Sequence, residues 1–79
     1  MKYTLATSTT CGPCQALKKR LETSRITVEV KDYSDSSNIP WFRERSVRSV
    51  PCLVVEDEVS GETELVTGLE DIFLRLLNQ

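Results

Sequence analysis

Tyr3 and Leu5 alternate with polar neighbours, which predicts a first strand over Lys2 to Ala6, and the polar run Thr7-Ser8-Thr9-Thr10 then reads as a loop. After it the period changes. Cys14, Leu17 and Leu21 recur at i, i+3 and i+7 with charges between them, one apolar face of a helix from about Pro13 to Ser24. Pro13 is tolerated because the first turn needs no internal N–H donor. Ile26, Val28 and Val30 alternate with Thr27, Glu29 and Lys31, as in an edge strand with one buried face. Asp32 to Asn38, rich in Ser and Asp, reads as a loop. Pro40 suits the first turn of a short helix to Val47, with Trp41 and Phe42 as its anchors.

Cys52-Leu53-Val54-Val55 is an unbroken apolar run after a proline, the pattern of a strand covered on both faces. Acidic Glu56-Asp57-Glu58 and Ser60-Gly61 turn the chain into a last strand over Thr63 to Val66, forming a hairpin. Gly68 breaks that pattern. Leu69, Ile72, Phe73, Leu76 and Leu77 then follow at helical spacing, the clearest amphipathic helix in the chain. The order is β-α-β-α-β-β-α. A helix joins the first two strands, which must be parallel, and the last two are antiparallel. This predicts an α/β domain over residues 1–79, its four-stranded mixed sheet in the order 2-1-3-4 and flanked by helices.

At 79 residues, 39% hydrophobic and 28% charged, the balance is that of one folded domain. Ten Lys plus Arg against twelve Asp plus Glu give a formal charge of −2, so no overall basic field exists to hold nucleic acid or an anionic membrane. The cluster Lys18-Lys19-Arg20 reads as a solvated helix face. The first residues lack the apolar core of a secretory signal, no stretch approaches membrane-spanning length, and three cysteines do not suit a disulfide framework. A cytoplasmic monomer whose partners are proteins or small thiols is the expectation.

Chemistry concentrates in Cys11-Gly12-Pro13-Cys14. Residues three apart on a helix have Cβ atoms about 5–6 Å apart, and slight tightening of the first turn reaches the ~3.5–4.5 Å of a disulfide. Cys11 falls at the helix N-terminus, where free N–H groups and the macrodipole favour a thiolate, so it is the expected nucleophile. Cys14 shares the buried stripe of Leu17 and Leu21 and is the expected resolving thiol. Half a zinc site and two unconnected core cysteines are the alternatives. Against zinc, the chain offers only Cys52 as a further cysteine and no histidine. The position of the motif between strand and helix favours redox chemistry. Cys52 itself reads as core packing or, less simply, as a redox group; Trp41 and Phe42 read as packing or a partner patch.

Cys11-Gly12-Pro13-Cys14 is identical to the active-site motif of thioredoxins, and Ser49-Val50-Pro51 resembles the segment carrying the cis-proline of that superfamily. In length the chain resembles glutaredoxins and the glutaredoxin-like electron donors of ribonucleotide reductase. The resemblance implies a thioredoxin-like fold, with Thr10, Gly12 and Pro13 forming the active-site loop between and beside the cysteines. It also implies a cis Val50-Pro51 bond that presents the Val50 backbone to substrate as an added strand; an ordinary trans proline is the alternative. Thr67-Gly68-Leu69-Glu70-Asp71 resembles the glutaredoxin segment whose helix N-terminus receives glutathione. There Gly68 and Leu69 would hold a carboxylate, Glu70 or Asp71 would meet the ammonium, and Arg48 would reach the glycyl carboxylate. A plain helix cap with acids in its first turn accounts for the segment equally well. The chain departs from the thioredoxin pattern at Thr10, where thioredoxins have Trp, and at Leu5, near their buried Asp. From glutaredoxins it departs at Ser8, where a Lys is common, and at Gly12-Pro13.

The function implied is thiol-disulfide oxidoreduction on protein disulfides, including service as an electron donor to ribonucleotide reductase. The reductant would be glutathione or a flavin-dependent reductase, with no tightly bound cofactor and glutathione as a candidate co-substrate. Two other classes remain: an iron-sulfur or glutathione-binding carrier, and a non-redox subunit that binds a larger enzyme.

Overall fold

In the computed structural model, which describes residues 1–78, the apolar segments pair into one four-stranded sheet in the order β2-β1-β3-β4. The elements are β1 (Lys2–Thr7), α1 (Gly12–Thr23), β2 (Glu29–Asp32), α2 (Ile39–Glu44), β3 (Cys52–Glu56), β4 (Thr63–Thr67) and α3 (Leu69–Leu77). β1 runs parallel to β2, with Leu5 opposite Val30, and antiparallel to β3, with Leu5 opposite Leu53. β3 and β4 form the antiparallel hairpin. Alternation along β1 and β3 divides the core in two. Leu5, Leu53 and Val55 pack with Leu17, Leu21, Ile72, Phe73 and Leu76 of α1 and α3. On the opposite face Ala6, Cys52 and Val54 pack with Phe42 and Val47. With both faces covered, Cys52 to Val55 are all buried.

Two boundaries differ from the sequence reading, for one shared reason. The second strand covers Glu29–Asp32 rather than Ile26 to Val30. Arg25 adopts φ 57, its N–H donates to the Glu22 carbonyl at 3.0 Å, and the Ile26 N–H donates to the Leu21 carbonyl at 2.9 Å. This is a Schellman end, so Ile26 closes α1 instead of opening a strand. α2 likewise ends at Glu44 rather than running to Val47. Ser46 adopts φ 58, and the Val47 N–H returns to the Phe42 carbonyl at 3.0 Å. Neither turn carries the glycine that would announce it. The expected loop of Asp32 to Asn38 also holds a 3₁₀ turn, Ser36–Asn38, capped by the Asp35 side chain. Val30, expected on a buried face, is 44% exposed at the edge, and an open crevice of about 430 Å³ lies between α1 and β2.

The C-terminal ends of β1 and β4 and the N-terminal end of β3 lie together, because Ala6 pairs with Cys52 and Cys52 with Thr67. This one end of the sheet therefore carries the Cys11 loop, Val50-Pro51 and the start of α3.

Candidate active site

Cys11 is the N-cap of α1, in extended backbone (φ −94°, ψ 113°), and its sulfur accepts the Cys14 N–H at 3.1 Å. The first turn contains Pro13 and no acidic residue. The positive end of the helix is thus left to the Cys11 sulfur, which favours its thiolate. Cys14 is fully buried on the Leu17 and Leu21 stripe, whereas Cys11 is partly exposed. The two sulfurs sit at disulfide-bonding distance, with Cα atoms 5.2 Å apart. Gly12 and Thr10 are exposed beside them.

The loop that delivers Cys11 is fastened by hydroxyls whose mutual contacts the sequence does not announce. Ser8, nearly buried, has its hydroxyl 3.1 Å from that of Thr10 and 3.2 Å from that of Ser34. The Ser8 carbonyl accepts the Cys11 N–H at 3.2 Å. Ser34 also meets the Thr9 hydroxyl at 2.9 Å, and the Asp32 carboxylate accepts the Ser34 N–H at 2.8 Å. The run of four hydroxyl residues, Thr7 to Thr10, was the available signal; Ser34, 26 positions from Ser8, had none.

Val50-Pro51 is cis, and the Val50 carbonyl oxygen lies 3.8 Å from Cys11 Sγ. Arg48 is exposed and lines a cavity of about 210 Å³ with Ser8, Tyr33, Phe42 and Val50. Phe42 is buried edge-on against Tyr33 and Trp41, with ring centroids 5.0 and 5.2 Å away. Arg45 stacks over Trp41 while its guanidinium meets Glu56 at 2.9 Å, so both aromatics serve packing. Gly68 is the N-cap of α3 at φ 92, a conformation that favours glycine, and Glu70 and Asp71 occupy the first turn. Leu69 is half-buried against the core. Arg20, in the last turn of α1, pairs with Glu70 and stacks on Phe73, which ties the end of α1 to the first turns of α3. Cys11 thus touches both Cys14 and Val50, Arg48 lines the cavity that Val50 also borders, and Gly68 to Asp71 share the same end of the sheet.

Cys52, 2% exposed, packs with Ala6, Phe42 and Val54. Burial pushes its thiol up from the ordinary value, an effect partly opposed by the Val66 backbone. Among the described residues no group of three or more His, Cys, Asp or Glu is placed to hold a metal ion, and no helix is long and apolar enough to cross a membrane.

No protein-family model matches the chain, and no curated protein matches it. Solved structures do. The thioredoxin-like protein BC3987 superposes with a TM-score of 0.65 at 22% identity, covering 95% of this chain and 99% of that one. A point mutant of BC3987 superposes with a TM-score of 0.67 at 22% identity, covering 98% and 100%. The chain therefore has a thioredoxin-like fold, carrying a close pair of cysteines where its first strand hands over to its first helix.

Proposed function

We propose that the protein is a thiol-disulfide oxidoreductase that reduces disulfides of other proteins by dithiol exchange. The observation that carries this reading is the asymmetry of the pair: Cys11 is partly exposed at the α1 N-terminus, and Cys14 is sealed one turn behind it at disulfide-bonding distance. The Cys11 thiolate attacks a substrate sulfur, forming a mixed disulfide and releasing one substrate thiolate. Cys14 then gives up its proton and bonds the Cys11 sulfur, and the electron pair of the broken bond leaves on the second substrate sulfur. Two electrons have passed to the substrate, and the Cys11-Cys14 disulfide awaits a reductant.

Substrate backbone pairs along Val50, whose carbonyl flanks the attacking sulfur, a mode that gives affinity without a fixed sequence. The reductant is glutathione or a flavin-dependent reductase. Glutathione as co-substrate would place its carboxylates at Arg48 and at the Gly68 and Leu69 end of α3. Its ammonium would meet Asp71, since Glu70 is engaged by Arg20. Ribonucleotide reductase is one disulfide-bearing protein that such a cytoplasmic, monomeric donor would serve. The test supplies either glutathione with its reductase or a flavin-dependent thioredoxin reductase, and follows reduction of a protein disulfide. Turnover with either one that requires Cys11 supports the reading; reduction that persists in a Cys11→Ser, Cys14→Ser double variant removes it.

A further inference from the structure

Two cavities, of about 210 and 290 Å³, share Tyr33, Phe42, Val47 and Arg48 in their linings and so form one groove. The inner one borders Ser8 and Val50, and the Val50 carbonyl oxygen stands 3.8 Å from Cys11 Sγ. The outer one runs on to Ile39 and Arg43 of α2. The floor is apolar, since Phe42 and Val47 are buried in the core of that face. The charge is of one sign: Arg43 and Arg48, both exposed, are the charged residues that line the groove. By contrast the crevice between α1 and β2 is mixed, with Lys18, Arg25 and Glu22, and the one beside the β3-β4 turn is acidic, with Asp57, Glu62 and Glu64.

Neither arginine is answered from within the chain. Among the described residues no carboxylate lies within ion-pair distance of Arg43 or Arg48. The acids around them in sequence and across the groove are engaged elsewhere: Glu44 and Glu56 with Arg45, Asp32 with the Ser34 N–H, and Asp35 with Ser37. The backbone is bent to bring the two cations together. Ser46 takes φ 58, a left-handed conformation uncommon for any residue but glycine, and the Val47 N–H returns to the Phe42 carbonyl. That turn buries Val47 and carries Arg48 back to the cavity that Arg43 lines. Like charges gathered without a counter-ion cost stability, so the pair fits a place left for an anion brought from outside.

We infer that this groove selects among disulfide substrates, binding a polypeptide segment that carries an acidic side chain close to the attacked cysteine. The inference rests on the dithiol reading above and names the substrate class of the same site. With substrate backbone alongside Val50, the residues on one side of the substrate cysteine run into the groove. An apolar side chain there covers Phe42 and Val47, and a carboxylate beyond it meets Arg48 and then Arg43. Guanidinium groups suit that partner, because two parallel N–H donors match the two carboxylate oxygens. A small inorganic anion would answer the charge but leave the apolar floor uncovered, and glutathione has no apolar side chain to lay there. The exchange at Cys11 is unaltered; the groove contributes binding.

The test uses the chemically reduced protein and disulfide-linked peptides whose single cysteine is flanked on one side by Leu-Glu, Leu-Gln or Leu-Lys, with a mirror set carrying the same pairs on the other side. Each single-turnover rate is divided by the rate with dithiothreitol, an uncharged thiol, which removes the effect of peptide charge on the disulfide itself. The Leu-Glu peptide is reduced about tenfold faster than the Leu-Gln peptide, as two exposed charge contacts allow. The gain belongs to one flank only, because the groove leaves Val50 in one direction, and it falls toward unity in high salt. Arg43→Gln and Arg48→Gln each lower the ratio, and the double charge reversal, Arg43→Glu with Arg48→Glu, makes the Leu-Lys peptide the preferred one. A ratio near unity in wild type, equal gains from both flanks, or a preference that survives the double Gln variant overturns the inference. So does a loss in these variants confined to glutathione disulfide. Failure of the wild type to reduce even the Leu-Gln peptide is a different result, and would remove the functional reading instead.

Discussion

α1 and α3 begin at the same end of the sheet, yet their N-termini are finished in opposite ways. α1 is capped by a cysteine sulfur and carries no acid in its first turn; α3 is capped by Gly68, which has no side chain to offer, and carries Glu70 and Asp71. Each helix start exposes unpaired N–H groups and a partial positive charge. In α3 the protein answers that charge with its own carboxylates, and one of them is held by Arg20. In α1 the charge is left for the sulfur. The same backbone feature therefore stabilises a fold element at one helix and, on the function proposed above, prepares a nucleophile at the other, and the side chains of the first turn decide which.

The largest expected effect breaks the comparison at α1. Cys11→Ser should reduce disulfide reduction to background, because among the described residues the other two thiols are buried and neither caps a helix. Cys14→Ser should still attack but accumulate mixed disulfides with substrate, visible as mass adducts on Cys11. Wild type reduced at neutral pH should alkylate at Cys11 first and at buried Cys52 last, since burial holds that thiol protonated. Alkylation of Cys14 well before Cys11 would reverse the roles assigned to the pair.

Both helix starts were legible in the sequence because each is written locally. Cys-Gly-Pro-Cys follows an alternating strand, and Gly68 precedes the most regular apolar spacing in the chain. The sheet order was legible as well, because connection lengths and one fully apolar strand leave few arrangements. What escaped were the helix ends at Arg25 and Ser46, where left-handed backbone is held by tertiary packing of Ile26 and Val47 rather than by a glycine. The hydroxyl cluster escaped for a related reason. Ser34 meets Ser8 only because β2 lies beside β1, and a contact across the sheet leaves no periodic trace.

A smaller effect tests the electrostatic half of the comparison directly. Gln15→Glu places an acid at the start of α1, on an exposed position, and makes that terminus resemble α3. The Cys11 thiolate should lose about 0.3–1 kcal/mol of stabilisation, seen as a rise in the pH midpoint of its alkylation that shrinks in high salt. An unchanged midpoint at low salt would mean that the Cys14 N–H, not the helix field, governs the sulfur.

Mild acid should separate the two regions further. The Arg75 side chain at the far end of α3 holds the Glu64 carboxyl below its ordinary 4.5, and the Val59 and Ser60 N–H groups hold Asp57 below its ordinary 3.8. Both carboxyls are depressed by folding, so the stability they contribute is complete above the ordinary values and is lost as pH falls through the lower, folded ones. Their exposure keeps the effect small. Amide exchange should therefore rise first in the β3-β4 turn and the β4-α3 link, with the acid-free first turn of α1 unaffected; equal loosening at both would show that these carboxylates hold nothing locally.

The smallest expected effect concerns what α3 does with its start. Among the described residues Glu70 is paired with Arg20, while Asp71 has no ion pair and lies close over Gly68, where an added Cβ would come within 3.6 Å of its carboxylate. If glutathione docks at this helix with its carboxylate on the N–H groups, Asp71 is the acid free to meet its ammonium. Asp71→Asn should then weaken glutathione by no more than about fivefold, the usual ceiling of roughly 1 kcal/mol for an exposed charge contact. Glu70→Gln should leave binding nearly unchanged, because Arg20 already engages that carboxylate. Calorimetric or coupled-reductase titration of both variants reads the difference. A gain in affinity on Asp71→Asn would mean that the protein's own carboxylate competes with the ligand for the helix end, so that α3, unlike α1, is closed to an incoming anion.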